Sequence, residues 1–247
     1  MPTVQPLVIA HRGSSKEAPE NTIAAFRLAL EQGCDGIELD IHLSADRRVI
    51  VCHDATIDRT TNGTGAILDM TAAQLQQYDA GSWFGESFAG ERLPLLDEVL
   101  DLVSASIGIN IEIKCYQHPD VIGTVLELLQ SRNRLDSVFF SSFSHDCMVN
   151  LKQAAPSARV GLLYDKDAAA DCLSYFNRQQ VDGYSLHPHQ ACVDGAYIEA
   201  AKRQGLQIYP WTVDDPERLQ ELIRSGASGI ITNRPQLMRE LLAETKG

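Results

Sequence analysis

No run of apolar residues in this chain approaches the length needed to span a bilayer, about 20 residues. Its opening, MPTVQPLVIA, has neither the basic start nor the long apolar stretch of a secretory signal. Basic side chains are outnumbered: 21 Lys and Arg stand against 33 Asp and Glu, for a formal net charge of −12. Such a chain is repelled by a phosphate backbone, which excludes a general nucleic-acid binder. A small anionic substrate is still compatible with that charge if local cations or a metal hold it. Cysteine is sparse too. Six occur, at positions 34, 52, 115, 147, 172 and 192, and none pair at the spacing of a zinc ligand set or a redox motif. Several lie in apolar runs, where Cys acts as a small buried hydrophobe. These absences predict a reduced, cytoplasmic protein with no stable membrane insertion. Internal repeats, low-complexity tracts and interdomain linkers are missing as well, and the choice between monomer and homodimer stays open.

What is present is alternation. Short apolar runs read as strands at 7–13, 36–43, 49–54, 108–114, 137–143, 159–164, 183–188, 207–213 and 229–233. Amphipathic helical patterns fill gaps between them, at 21–33, 93–104, 121–133, 195–205 and 215–226, with Gly33, Gly205 and Gly226 where C-terminal caps belong. Only SADRR separates the second and third runs, too little for a parallel crossover. The run VIVCHD is therefore the returning arm of a hairpin. Eight strands remain, and 247 residues suit a (β/α)8 TIM barrel in one domain, 1–247. Residues 45–92 become an insertion between the second strand and its helix, lying over the barrel mouth. Within it, TAAQLQQYDAG (71–81) predicts a helix opened by a Thr71–Gln74 capping box. Trp83, Phe84 and Phe88 read as packing residues of that insertion.

The stretch GIELDIHL is costly for a fold. Two-residue alternation puts Glu38, Asp40 and His42 on one face, with Ile37, Leu39 and Ile41 on the other. The next strand carries Asn110, Glu112 and Lys114 on one face. His11 and Arg12 end the first strand, and His53 and Asp54 end the hairpin arm. Barrel chemistry gathers at the C-terminal ends of strands, so these residues converge on one rim. Three carboxylates with no thiolate favour a hard cation, Mg²⁺ or Ca²⁺, between Glu38, Asp40 and Glu112. His11 and His53 suit acid–base work near neutral pH, and Arg12 and Lys114 suit an anionic group. Together they describe phosphoester hydrolysis. Other polar residues read more plainly. Asn21 is expected to cap the first helix, with Glu20 beside it near the site. His42 is expected further out, and HPH at 187–189 reads as a polar loop.

These motifs resemble the glycerophosphodiester phosphodiesterase family: HRG at 11–13, PENT at 19–22, ELD at 38–40, HD at 53–54, DRTTNGTG at 58–65, NIEIK at 110–114, WTV at 211–213 and GIITNRP at 229–235. The similarity covers the chain from its first strand to its last. It implies a TIM barrel with a small insertion, a divalent metal, and hydrolysis of small glycerophosphodiesters, the deacylated phospholipids. It carries over His11 and His53 as the acid–base pair and Glu38, Asp40 and Glu112 as metal ligands. Arg12 and Lys114 would contact phosphate, and Trp211 would line the pocket. Family members often have Asp in the last-strand motif where this chain has Asn233, which speaks against an ionic role there. A lysophospholipase D on the same scaffold would need an apolar groove for an acyl chain. A non-catalytic metabolite-binding barrel would have lost a histidine or a carboxylate.

Overall fold

In the computed structural model, which describes residues 5–166 and 169–244, the alternation becomes eight parallel strands with helices between them. The strands are β1 (Leu7–His11), β2 (Gly36–Leu43), β4 (Gly108–Ile113), β5 (Val138–Ser142), β6 (Val160–Tyr164), β7 (Ser185–Pro188), β8 (Gln207–Ile208) and β9 (Gly229–Thr232). A short arm, β3 (Val49–Val51), pairs antiparallel with the outer half of β2, Ile41–Leu43. The order across the sheet is β8-β7-β6-β5-β4-β2-β1-β9. Among the described residues β8 and β9 share no ladder. Three main-chain hydrogen bonds bridge this seam instead: Ser228 N to Ile208 O (3.0 Å), Ile231 N to Pro210 O (3.0 Å) and Val213 N to Ile231 O (3.0 Å). The ring is a TIM barrel, nearly closed by pairing and completed by these bonds.

Strands packed on both sides have no solvent face. All eight residues of β2 are buried. Its outward residues Ile37, Leu39 and Ile41 join Ile109, Ile111 and Ile113 of β4 in the main core beneath the helices. Inside the barrel, Ile9, Phe139, Tyr209 and Ile231 form an apolar plug. Two residues further along the chain from each stand His11, Ser141, Trp211 and Asn233, the last two just past the ends of β8 and β9. The interior thus changes from apolar to polar towards the C-terminal ends, which is how this fold makes a floor for a site.

The helices are α1 (Ile23–Glu31), α2 (Ala72–Leu75), α3 (Leu96–Leu102), α4 (Val121–Ser131), α5 (His145–Ala154), α6 (Ala169–Gln179), α7 (Gly195–Arg203), α8 (Pro216–Ser225) and α9 (Pro235–Glu244). Two expectations need correction. The helix expected over 71–81 is the single turn α2. Its capping box between Thr71 and Gln74 is present, but the Asp79 carboxylate takes the backbone amides of Gly81, Ser82 and Gly90 at 2.6–2.8 Å, which winds the chain into a loop. The strand expected over 207–213 is regular only to Ile208: Tyr209 N and Trp211 N still donate to Leu186 O (2.9 Å) and Pro188 O (3.1 Å) of β7, but Pro188 has no N–H to return a bond. Between β2 and α3, residues including Ile50, Cys52, Ile57, Ile67, Leu75 and Leu93 form a separate apolar cluster. Trp83, Phe84 and Phe88 stack edge-on there, with centroids 5.5–5.6 Å apart. No helix among the described residues is long and apolar enough to cross a membrane.

Candidate active site

Ladder register assembles the rim. Residue His11 of β1 sits opposite Glu38 of β2, and Asp40 of β2 sits opposite Glu112 of β4. The three carboxylates, all buried, each offer an oxygen within 4.8 Å of the others. Beside them opens a pocket of about 260 Å³, lined by His11, Arg12, Glu38, His53, Glu112 and Lys114 on one side and by Phe143 and Trp211 on the other. All the expected site residues border this pocket except Asp40, which lies directly beneath it at 0% exposure.

Each histidine is gripped at Nδ1. His11 Nδ1 lies 2.6 Å from Asn233 Oδ1, and its Nε2 lies 4.0 Å from Glu38 Oε2. His53 Nδ1 lies 2.6 Å from Asp54 Oδ1. Arg59 holds that carboxylate in turn, its Nε donating to Asp54 Oδ2 at 2.7 Å, while its two terminal nitrogens donate to Glu20 at 2.8 Å. Glu20 also receives Arg12 Nη1 at 2.8 Å. His42 turns its Nε2 towards the His53 carbonyl at 3.1 Å, bracing the loop from below.

The cations are already engaged. Arg12 Nε lies 3.2 Å from Asp40 Oδ2, and Lys114 Nζ lies 3.3 Å from Asp40 Oδ1 and 2.6 Å from Glu112 Oε1. The Arg12 backbone N–H donates to Glu38 Oε2 at 3.0 Å. Arg12 adopts a left-handed φ of 56°, which is uncommon for a residue with a Cβ and is held here by that network. Gly13 follows at φ 85°. A Cβ there would stand 2.6 Å from the backbone of Ala25, so the loop can approach α1 only with glycine.

Electrostatics follow from crowding. Burial, then the charges of Asp40 and Glu112, raise the Glu38 carboxyl well above its ordinary range. Burial and Asp40 push Glu112 up to about 7. Burial also opposes ionisation of Asp40, but Arg12 and Lys114 outweigh it and hold that carboxyl well below the ordinary range. Burial, aided by Arg12, pushes His11 down to about 4, and burial lowers His53. Among the described residues, Asp40 Oδ1 has no hydrogen bond of good geometry despite full burial. Oxygen-only donors, clustered and mutually repelling, with one under-satisfied, fit a hard divalent cation.

The glycerophosphoryl diester phosphodiesterase family matches residues 11–237. A glycerophosphodiester phosphodiesterase of Caldanaerobacter subterraneus subsp. tengcongensis is 41% identical over 239 residues, covering 96% of this chain and 97% of the relative. The chain belongs to the glycerophosphoryl diester phosphodiesterase family. Among solved structures, an Oleispira antarctica phosphodiesterase in complex with the product sn-glycerol-3-phosphate superimposes with a TM-score of 0.88. It is 31% identical and covered to 97% in both chains. A glycerophosphodiester phosphodiesterase from Agrobacterium tumefaciens gives 0.82 at 33% identity, covering 95% of this chain and 99% of the other.

Against that family background, several expectations for individual residues change. Asn21 is not the cap of α1. Thr22 is, its hydroxyl accepting from Ala25 N. Asn21 takes φ 56° and donates its amide to Asp40 Oδ2 at 2.9 Å. His187 is not in a loop. It lies on β7, fully buried inside the barrel with Ser185 Oγ 2.8 Å from Nε2. His189 stacks edge-on to Trp211 at 5.4 Å. The indole N–H of Trp211 donates to His187 O at 2.7 Å, leaving its ring to the pocket. Arg59, Asp214 and Phe143 were not singled out from the sequence. Arg59 lay inside DRTTNGTG, and its partners only become visible once the loop is folded.

Proposed function

We propose that this chain hydrolyses glycerophosphodiesters to sn-glycerol 3-phosphate and an alcohol. The observation that carries this reading is a pair of histidines, each held at Nδ1, bordering one pocket with two carboxylates and two cations and with Asp40 beneath it. The product held by the Oleispira antarctica relative supports the same substrate class. Glu38, Asp40 and Glu112 would hold Mg²⁺ or Ca²⁺, which when bound supplies positive charge against a phosphoryl oxygen and acidifies a hydroxyl nucleophile. Arg12 and Lys114, both donor-rich and lining the pocket, bind the phosphate. The ring of Trp211 walls the substrate. Asp54 at Nδ1 favours a charged His53, so His53 donates the proton to the leaving alcohol. Burial and the charge of Arg12 outweigh the neutral Asn233 carbonyl and keep His11 uncharged, so His11 accepts the proton of the nucleophile at Nε2. Residues 45–92 carry Arg59 and His53 to the rim and shape the pocket.

The test is an assay coupled to sn-glycerol 3-phosphate, run over choline, ethanolamine and glycerol diesters with and without chelator. Product formation should stop in chelator and return with Mg²⁺ or Ca²⁺. Full turnover by protein shown to be metal-free would refute the metal reading. A substrate lacking the glycerol 2-hydroxyl separates the two nucleophiles. Failure to cleave it favours attack by that hydroxyl through a cyclic phosphate, and normal cleavage favours water. His11→Ala and His53→Ala should each lower turnover about 10²- to 10⁴-fold while leaving the thermal melt in place.

One observation favours a second substrate. A groove of about 510 Å³ adjoins the site through Lys114 and is lined by Leu43, Ala55, Leu68, Tyr116 and Pro119, among others. It offers the apolar surface that a lysophospholipid acyl chain needs. A lysophospholipid arm in the same assay tests it, with release of the head-group alcohol as the supporting result.

A further inference from the structure

The seam between β8 and β9 is tied at its upper end by side chains, and those ties lead to His11. Asp214 follows β8, and Asn233 follows β9. The carboxylate of Asp214 accepts the Asn233 backbone N–H at 2.8 Å and the Thr232 hydroxyl at 3.0 Å, both on Oδ1. Its Oδ2 faces the Asn233 side-chain amide at 2.6 Å. The other end of that amide faces His11 Nδ1 at 2.6 Å.

A carboxylate is an acceptor only, so the atom turned towards Asp214 must be the amide nitrogen, which donates. The carbonyl oxygen Oδ1 is then turned towards His11, and a carbonyl can only accept. Its partner Nδ1 must therefore carry the hydrogen. In a neutral ring the other nitrogen, Nε2, is left with a lone pair. That nitrogen is the one nearest Glu38. Reversing the amide would set its oxygen against the Asp214 carboxylate at 2.6 Å, acceptor against acceptor. Ser15 Oγ lies 2.7 Å from both Asn233 Oδ1 and the His11 carbonyl, and its single proton can serve either without disturbing this order.

We propose that Asp214, acting through Asn233, fixes His11 in its Nδ1–H tautomer and so keeps a proton-accepting nitrogen facing the pocket. Asn233 is a positioning residue, and Asp214 positions Asn233. A free neutral imidazole favours the opposite tautomer, with hydrogen on Nε2, which would turn a donor to the nucleophile and block proton removal. The relay also accounts for asparagine here. The negative charge stands one residue further from the ring, on Asp214, so Asn233 orients the ring with a neutral carbonyl.

The proposal rests on the role of His11 given above, and the experiment separates the two. Ring nitrogens of ¹⁵N-histidine-labelled protein are observed by long-range ¹H–¹⁵N correlation, without and with divalent cation, and His11 is assigned by the loss of its signals in His11→Gln. Neutral His11 should show a protonated Nδ1 and an unprotonated Nε2. Asp214→Asn, which frees the amide to reverse, should give mixed tautomers. Asn233→Leu should release the bias and lower kcat about tenfold to a hundredfold, the usual scale for groups orienting a working imidazole, with KM changed less than about threefold. A wild-type ring with hydrogen on Nε2 overturns the proposal whether or not any variant folds. So does an unchanged His11 signal in Asn233→Leu. Near-normal turnover by His11→Ala would instead overturn the role of His11 and leave the tautomer result standing.

Discussion

Burial and the charge of Asp40 bring the Glu112 carboxyl to about 7, so near pH 6 the metal-free protein holds a proton there. A hard cation binds the ionised form only, and its binding must expel that proton. Affinity for Mg²⁺ or Ca²⁺ should therefore rise as pH rises through about 7. Calorimetry in buffers of different ionisation enthalpy should count more protons released per ion near pH 6 than near pH 8, and equal counts would contradict this. His187 titrates the other way. Burial pushes it down to about 3 from an ordinary 6.5. Its contribution to stability is intact above about 6.5 and is lost as pH falls, because the unfolded chain takes up a proton that the folded ring refuses. His187→Gln should flatten the fall in urea midpoint between about pH 6.5 and 4. The carboxylate cluster was legible in the sequence because strand alternation alone aims Glu38, Asp40 and Glu112 inward. Asn21, Asn233 and His187 were not. Their meaning depends on partners brought close by folding, such as Asp40 for Asn21 and Asp214 for Asn233, or on which strand end they occupy.

At the scale of elements, β3 is held by its ladder with β2, and one further side chain ties the segment after it into the ion-pair network of the site. Arg59 ties Asp54 to Glu20, and Glu20 ties back to Arg12. Arg59→Ala should leave the Asp54 carboxylate that holds His53 Nδ1 with no cation behind it. We expect kcat to fall about tenfold, with stability changed by no more than about 1 kcal/mol, since these pairs are partly exposed. Steady-state kinetics and a denaturant midpoint on one preparation check both halves. The hairpin was legible because a five-residue gap cannot hold a crossover. The length of α2 was not, since Asp79 ends it by capturing amides as far away as Gly90. Nor was the brevity of β8, where the regular ladder stops because Pro188 of β7 has no N–H to return, although the apolar pattern runs on. Helices α5, α6 and α9 were missed by periodicity. In α5 only Cys147, Met148 and Leu151 are buried, a stripe too thin to stand out.

For the whole molecule, the barrel was legible from strand count and chain length, because eight parallel strands of this spacing have few ways to bury both faces. The seam was not, because it depends on which two strands meet last. Its consequence is one of connectivity. Read around the ring from β9, the parallel strands run β9, β1, β2, β4, β5, β6, β7, β8, which is chain order with the last strand moved to the front. The two ends of the described chain already meet there: Gln5 donates its side-chain amide to Leu242 O at 3.1 Å. A circular permutant that joins the old termini by a short glycine–serine linker and begins between α8 and β9, near Ala227, would make the order of synthesis and the order in the sheet the same. Its new ends would fall beside the seam, where among the described residues there is no ladder to break. This permutant should express as a folded barrel with near-parental turnover. One opened between β4 and β5, whose ladder runs from Ile109 to Glu112, should lose more in its melting temperature.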